Sequence, residues 1–123
     1  MRSIILAVVL LTACTGDPMC ADELPIACSL DRMSAADRAR EAELLEEHRR
    51  SFVSVVEEPD GFAYTYPDDP ALFARMAELV SIEHRCCPFL AFRLEWGTGD
   101  TRPVLHVGGG ERVKSFVREA LGQ

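Results

Sequence analysis

At 123 residues, 48% hydrophobic and 27% charged, the chain has room for one domain around one modest core. Its formal net charge of −7 excludes the basic face that a phosphate backbone requires, and its Lys and Arg residues are scattered rather than clustered. Nucleic acid is therefore not an expected partner, and the sequence names no protein partner.

Met1-Arg2-Ser3 reads as a short n-region with one positive side chain, and Ile4 to Leu11 is an apolar run too short to span a bilayer. The run ends in Leu11-Thr12-Ala13-Cys14, which resembles the lipobox of bacterial lipoproteins. That resemblance implies a signal peptide over 1–13, cleavage before Cys14 and a lipid on its thiol. It further implies a tether over 14–25 and a protein held by its lipid to a membrane at the cell envelope, outside the cytoplasm. A start at Met19 is the alternative and makes the protein cytoplasmic.

The folded part is expected over 26–123. Ile26-Ala27-Cys28-Ser29-Leu30 is a semi-apolar piece expected to lie extended across the core. Ser34-Ala35-Ala36-Asp37 resembles a capping box with Asp in place of Glu. Strong helix formers then run to about Arg50, with Ala42 and Leu45 on one side and Leu44 and His48 nearby. The apolar stripe is narrow, which predicts packing on one face of a sheet, with the glutamates, Glu41 among them, in water. Phe52 to Glu57 is β-branched and reads as a strand. Glu58-Pro59-Asp60-Gly61 is a turn in which Pro presets φ and Gly supplies a positive φ. Phe62 to Tyr66 alternates aromatic and small, completing a hairpin.

Asp69-Pro70 opens a second helix, and Leu72, Met76, Leu79, Ile82 and Cys86 follow at helical spacing. Pro88 ends it, leaving Cys87 turned roughly 100° from the core face. Phe89 to Trp96 is a strand whose apolar face is Leu90, Phe92, Leu94 and Trp96, and Val104 to Val107 returns beside it. Gly108-Gly109-Gly110 is a flexible bend that lacks the GK[ST] ending of a phosphate loop. Glu111 to Leu121 closes the chain as a helix. The order α-β-β-α-β-β-α predicts an α+β two-layer sandwich, an antiparallel four-stranded sheet with helices over one face.

The chemistry concentrates in Glu83-His84-Arg85-Cys86-Cys87. A trans peptide holds neighbouring Cα atoms about 3.8 Å apart, whereas disulfides usually want roughly 4.4 to 6.8 Å, so Cys86 and Cys87 are poor partners for each other. Three readings follow. In the first, the thiolates form a soft-metal or thiol-exchange site for Hg, Cu or Zn, with Cys28 as a third sulfur. Glu83, one turn before Cys86, is expected as a further metal ligand and His84, one turn before Cys87, as an auxiliary one, or Glu83 acts as a base for a thiol. In the second, Cys28 bridges to Cys86 or Cys87, a loop closure worth on the order of 4 kcal/mol, and the protein is a disulfide-stabilised structural or interaction lipoprotein. In the third, Cys86 is a small core hydrophobe and the rest is incidental. A Cys87–His84 nucleophile is a further possibility, with no evident oxyanion hole. His48 is expected to be packed rather than ligating, and the side on which His106 falls depends on strand register.

Glu83 to Leu90, followed by Phe92-Arg93-Leu94-Glu95, resembles the E-x-x-C-C-P-F signature of a family of small bacterial proteins of uncharacterised activity. Ile26 to Leu30 resembles that family's N-terminal cysteine segment, and Pro59-Asp60-Gly61-Phe62 its hairpin turn. The resemblance covers about residues 26–121. It implies that Cys28, Glu83, Cys86 and Cys87 form one site, and it implies no activity. Vicinal cysteines also recur in mercury-handling proteins, a likeness two residues long.

Overall fold

The computed structural model describes residues 24–123. The expected leader over 1–13, Cys14, Met19, Cys20 and nearly all of the tether lie outside the described residues. Ser34 starts the first helix, its Oγ accepting the Asp37 N–H at 3.0 Å, and α1 runs Ala35–Ser51. β1 (Ser54–Glu58) and β2 (Gly61–Thr65) form the expected hairpin, with Glu58 opposite Gly61. Asp69 Oδ1 accepts from the N–H groups of Ala71 and Leu72, and α2 runs Pro70–Cys86 with proline in its first turn. β3 (Ala91–Glu95) and β4 (Val104–Gly108) make the second hairpin. One 3-10 turn, Glu111–Val113, leads into α3 (Lys114–Leu121).

The strands form one antiparallel sheet in the order β1-β2-β4-β3, so the two hairpins join through β2 and β4. Register places Phe62 and Phe92 on either side of Val107, and Tyr64 and Leu94 on either side of Leu105. With period-2 alternation these six share one face, the face the helices cover. Leu72, Met76, Leu79 and Ile82 of α2 and Val117 and Leu121 of α3 complete the core. Burying each such side chain contributes about 1.5–3 kcal/mol. The α+β order and the four-stranded antiparallel sheet are those expected. Among the described residues no helix is long and apolar enough to cross a membrane.

Three local expectations change. α1 packs chiefly on α2 rather than on the sheet, turning Leu44 and His48 inward and leaving Ala42 exposed. Its two leucines are too little apolar surface to cover a sheet, and its charges find partners on α2, Arg40–Glu78 at 2.8 Å and Glu47–Arg75 at 2.6 Å. Gly61 is not among the positive-φ glycines. It is required because a Cβ there would stand 1.9 Å from the Val107 carbonyl oxygen. The glycine run is pinned rather than loose: Gly109 and Gly110, at φ 144° and 97°, both donate N–H to the Asp60 carbonyl at 3.1 Å. The Ile26–Leu30 piece, without regular secondary structure up to Ser29, passes into a 3-10 turn over Leu30–Arg32.

Candidate functional site

The end of α2 is set by Pro88, which forces Cys87 out of helical geometry to φ −119°, ψ 74°. The Cys87 N–H still reaches the Glu83 carbonyl at 2.6 Å, so the turn closes over Glu83. The last carbonyls of a helix lack partners within it. The Cys86 carbonyl finds one in the Ser29 N–H at 2.8 Å. That one backbone bond lays the N-terminal segment against the helix end and brings Cys28 to the vicinal pair.

The sulfurs of Cys28, Cys86 and Cys87 all lie within 4.8 Å of one another. All three are free thiols, Cys86 and Cys87 buried and Cys28 partly exposed. Cys87 is therefore not turned to solvent: being non-helical, it leaves the projection that predicts a 100° rotation. Sulfurs sharing a zinc-sized ion at about 2.3 Å stand about 3.8 Å apart, so the three need close by only about 1 Å to share one centre.

Glu83 is 6% exposed. The Cys87 thiol donates to its Oε2 at 3.5 Å. Burial, then the hydrogen bond and charge of Glu41 beside it, push the Glu83 carboxyl up to about 8, against the opposing pull of the Cys87 hydrogen bond. Glu41, expected in water, is instead half-buried. Burial first, then Cys28, pushes the Cys86 thiol up to about 11. Burial, a hydrogen bond with Cys28 and the charge of Glu83 raise Cys87 further. A nucleophilic cysteine needs the opposite environment. His84 is exposed and Cys87 turns to Glu83, so the Cys87–His84 nucleophile is not assembled. Arg85 reaches away to Asp37 at 3.4 Å.

The other two histidines are structural in contrasting ways. His48 is packed, as expected: Nε2 donates to the Leu121 carbonyl at 2.8 Å and Nδ1 accepts from the Tyr66 hydroxyl at 2.6 Å. Burial pushes it down to about 4, outweighing the Leu121 bond that favours its charge. His106 falls on the open face of the sheet, with Glu58 at 2.6 Å from Nδ1 and Glu95 at 2.8 Å from Nε2. Partial burial works against its charge, but the two carboxylates outweigh it and hold its pKa above the ordinary value. A cleft of about 130 Å³ opens beside it, edged by Asp60 and Arg93. No signal within either hairpin announces this cluster, because Glu58 and His106 meet only through the β2–β4 pairing that joins the two.

No protein-family model, no curated protein and no solved structure matches the chain, so the site is read from its own geometry.

Proposed function

We propose that the protein binds a soft metal ion, or exchanges thiols, through Cys28, Cys86 and Cys87, with Glu83 assisting at Cys87. The observation that carries this reading is the meeting of three sulfurs from two separate segments within 4.8 Å. Thiolates select soft and borderline ions such as Hg(II), Cu(I) and Zn(II). Ligand thiols must lose their protons on binding, and Glu83 stands where the Cys87 proton would go. The test is titration of the reduced full chain with Hg(II), Cu(I) and Zn(II) separately, following sulfur-to-metal absorbance and proton release. The expected result is saturation at one ion per chain. An absence of sulfur-bound metal with all three ions would sink it.

The lipobox-like segment supports placing this site at the cell envelope, anchored by lipid on Cys14. The intact mass of protein from its own cells, with thiols trapped on lysis, checks both points at once. A lipid on Cys14 supports the envelope. A chain beginning at Met19 returns the site to the cytoplasm. A Cys28 disulfide in that sample would favour the stapled, non-catalytic alternative.

A further inference from the structure

The cluster offers three sulfurs, and among the described residues no His, Asp or Glu joins it to make a larger group at ligand spacing. Its surroundings disfavour added negative charge. Cys86 and Cys87 stand at the C-terminal end of α2, where a helix carries roughly −0.5 of an elementary charge. Glu83 touches Cys87, Glu41 lies behind Glu83, and the Arg85 guanidinium is engaged by Asp37. A buried site of this kind resists any ligand that leaves it with additional negative charge. Three thiolates on a divalent ion make a centre of net −1, and on Cu(I) one of −2. Zinc also takes a fourth ligand.

A neutral trihydroxide of a trivalent, sulfur-seeking element meets neither obstacle. Building on the soft-metal reading above, we infer that the ligand this site fits is trivalent arsenic, taken up as arsenous acid and held as a three-sulfur pyramid by Cys28, Cys86 and Cys87. The step balances without a redox partner. As(OH)3 and three thiols give As(S-Cys)3 and three waters. Three As–O bonds break and three As–S bonds form. Each thiol proton leaves with a hydroxide, arsenic stays trivalent, and the site begins and ends neutral. The lone pair on arsenic occupies the fourth direction, so no further ligand is wanted. Trivalent antimony shares this chemistry. Mercuric ion differs, because two sulfurs already make it neutral and linear, leaving the third thiol unused.

The experiment is titration of the reduced full chain with sodium arsenite, and in parallel with Hg(II), with X-ray absorption at the arsenic edge on the saturated protein. The expected result is one arsenic per chain with three As–S and no As–O contacts. Cys28→Ser, at a partly exposed position, keeps the fold by circular dichroism. It is expected to weaken arsenite binding by more than the roughly 10- to 100-fold that loss of an outer-shell partner costs. It leaves Hg(II) on Cys86 and Cys87. A double Cys14→Ser, Cys20→Ser chain binds arsenite as the parent does. Arsenite unbound while Hg(II) binds, fewer than three As–S contacts, or loss of arsenite binding in the double variant would each overturn the inference and leave the soft-metal reading standing. A failure of both ions to bind would overturn the inference and, with Cu(I) and Zn(II) also unbound, would remove the soft-metal reading as well.

Discussion

On the helical side of the sheet the Cys86 and Cys87 thiols, the Glu83 carboxyl and the His48 imidazole are buried, and each is pushed toward its neutral form. On the open side His106 holds a carboxylate on each ring nitrogen and is pushed toward its charged form. The difference shows what each cluster has left to give. The His106 cluster has spent its donors and acceptors on itself across three strands. The thiols have no strong partners beyond one another and Glu83, so they remain available to a ligand.

Substitutions on the two sides should separate these roles. The largest effect is expected from Cys28→Ser, which should abolish useful arsenite affinity, whereas His106→Gln should leave that affinity unchanged in the same titration. Equal losses from the two would erase the distinction. Next in size is acid sensitivity from His48. Its folded pKa of about 4 lies below the ordinary 6.5, so the unfolded chain takes up the proton first. Stability should fall as pH drops from about 6.5 to 4, by roughly 3 kcal/mol, measured by urea unfolding. His48→Phe should flatten that part of the profile.

Glu83 should act in the opposite direction. Its folded pKa of about 8 lies above 4.5, so whatever it costs the fold is absent below pH 4.5 and grows as pH rises to about 8. Glu83→Gln should therefore be more stable than the parent at pH 8.5 and equal to it at pH 4. No gain at pH 8.5 would place the carboxyl in a more polar setting than its burial implies. The smallest effect belongs to His106→Gln, expected within about 1 kcal/mol because its carboxylate partners are partly solvated. Its stabilisation is full below pH 6.5 and fades as pH rises through the raised folded value.

Much of this was legible in the sequence because the signals were local. Asp69-Pro70 starts α2 and Pro88 ends it whatever surrounds them. The spacing of Leu72, Met76, Leu79 and Ile82 names their shared face, and the Pro59-Asp60 turn fixes the first hairpin. The meeting of Cys28 with the vicinal pair came through the resemblance and the cysteine count rather than through periodicity. What stayed hidden depends on how elements pack. Glu41 reaches Glu83 only once α1 lies along α2. His106 gains Glu58 only through the β2–β4 pairing. Gly61 needs its missing side chain because of Val107, which lies in another hairpin. Helical projection stops applying at the capping residue, and that is where Cys87 stands.

The bond from the Ser29 N–H to the Cys86 carbonyl also bears on the rates at which a ligand would come and go. Two sulfurs are neighbours at one helix end, and the third arrives on a separate arm tied down by the Ser29–Cys86 backbone bond, by the Arg112 side chain on the Leu24 carbonyl and by a short 3-10 turn. A centre bound this way would open in stages, because the arm could lift while the vicinal pair kept its grip. During that interval a thiol from another molecule can take the vacated position. A ligand held there would then pass to the other thiol without being released, at a rate set by the opening of the arm rather than by the strength of the intact triad.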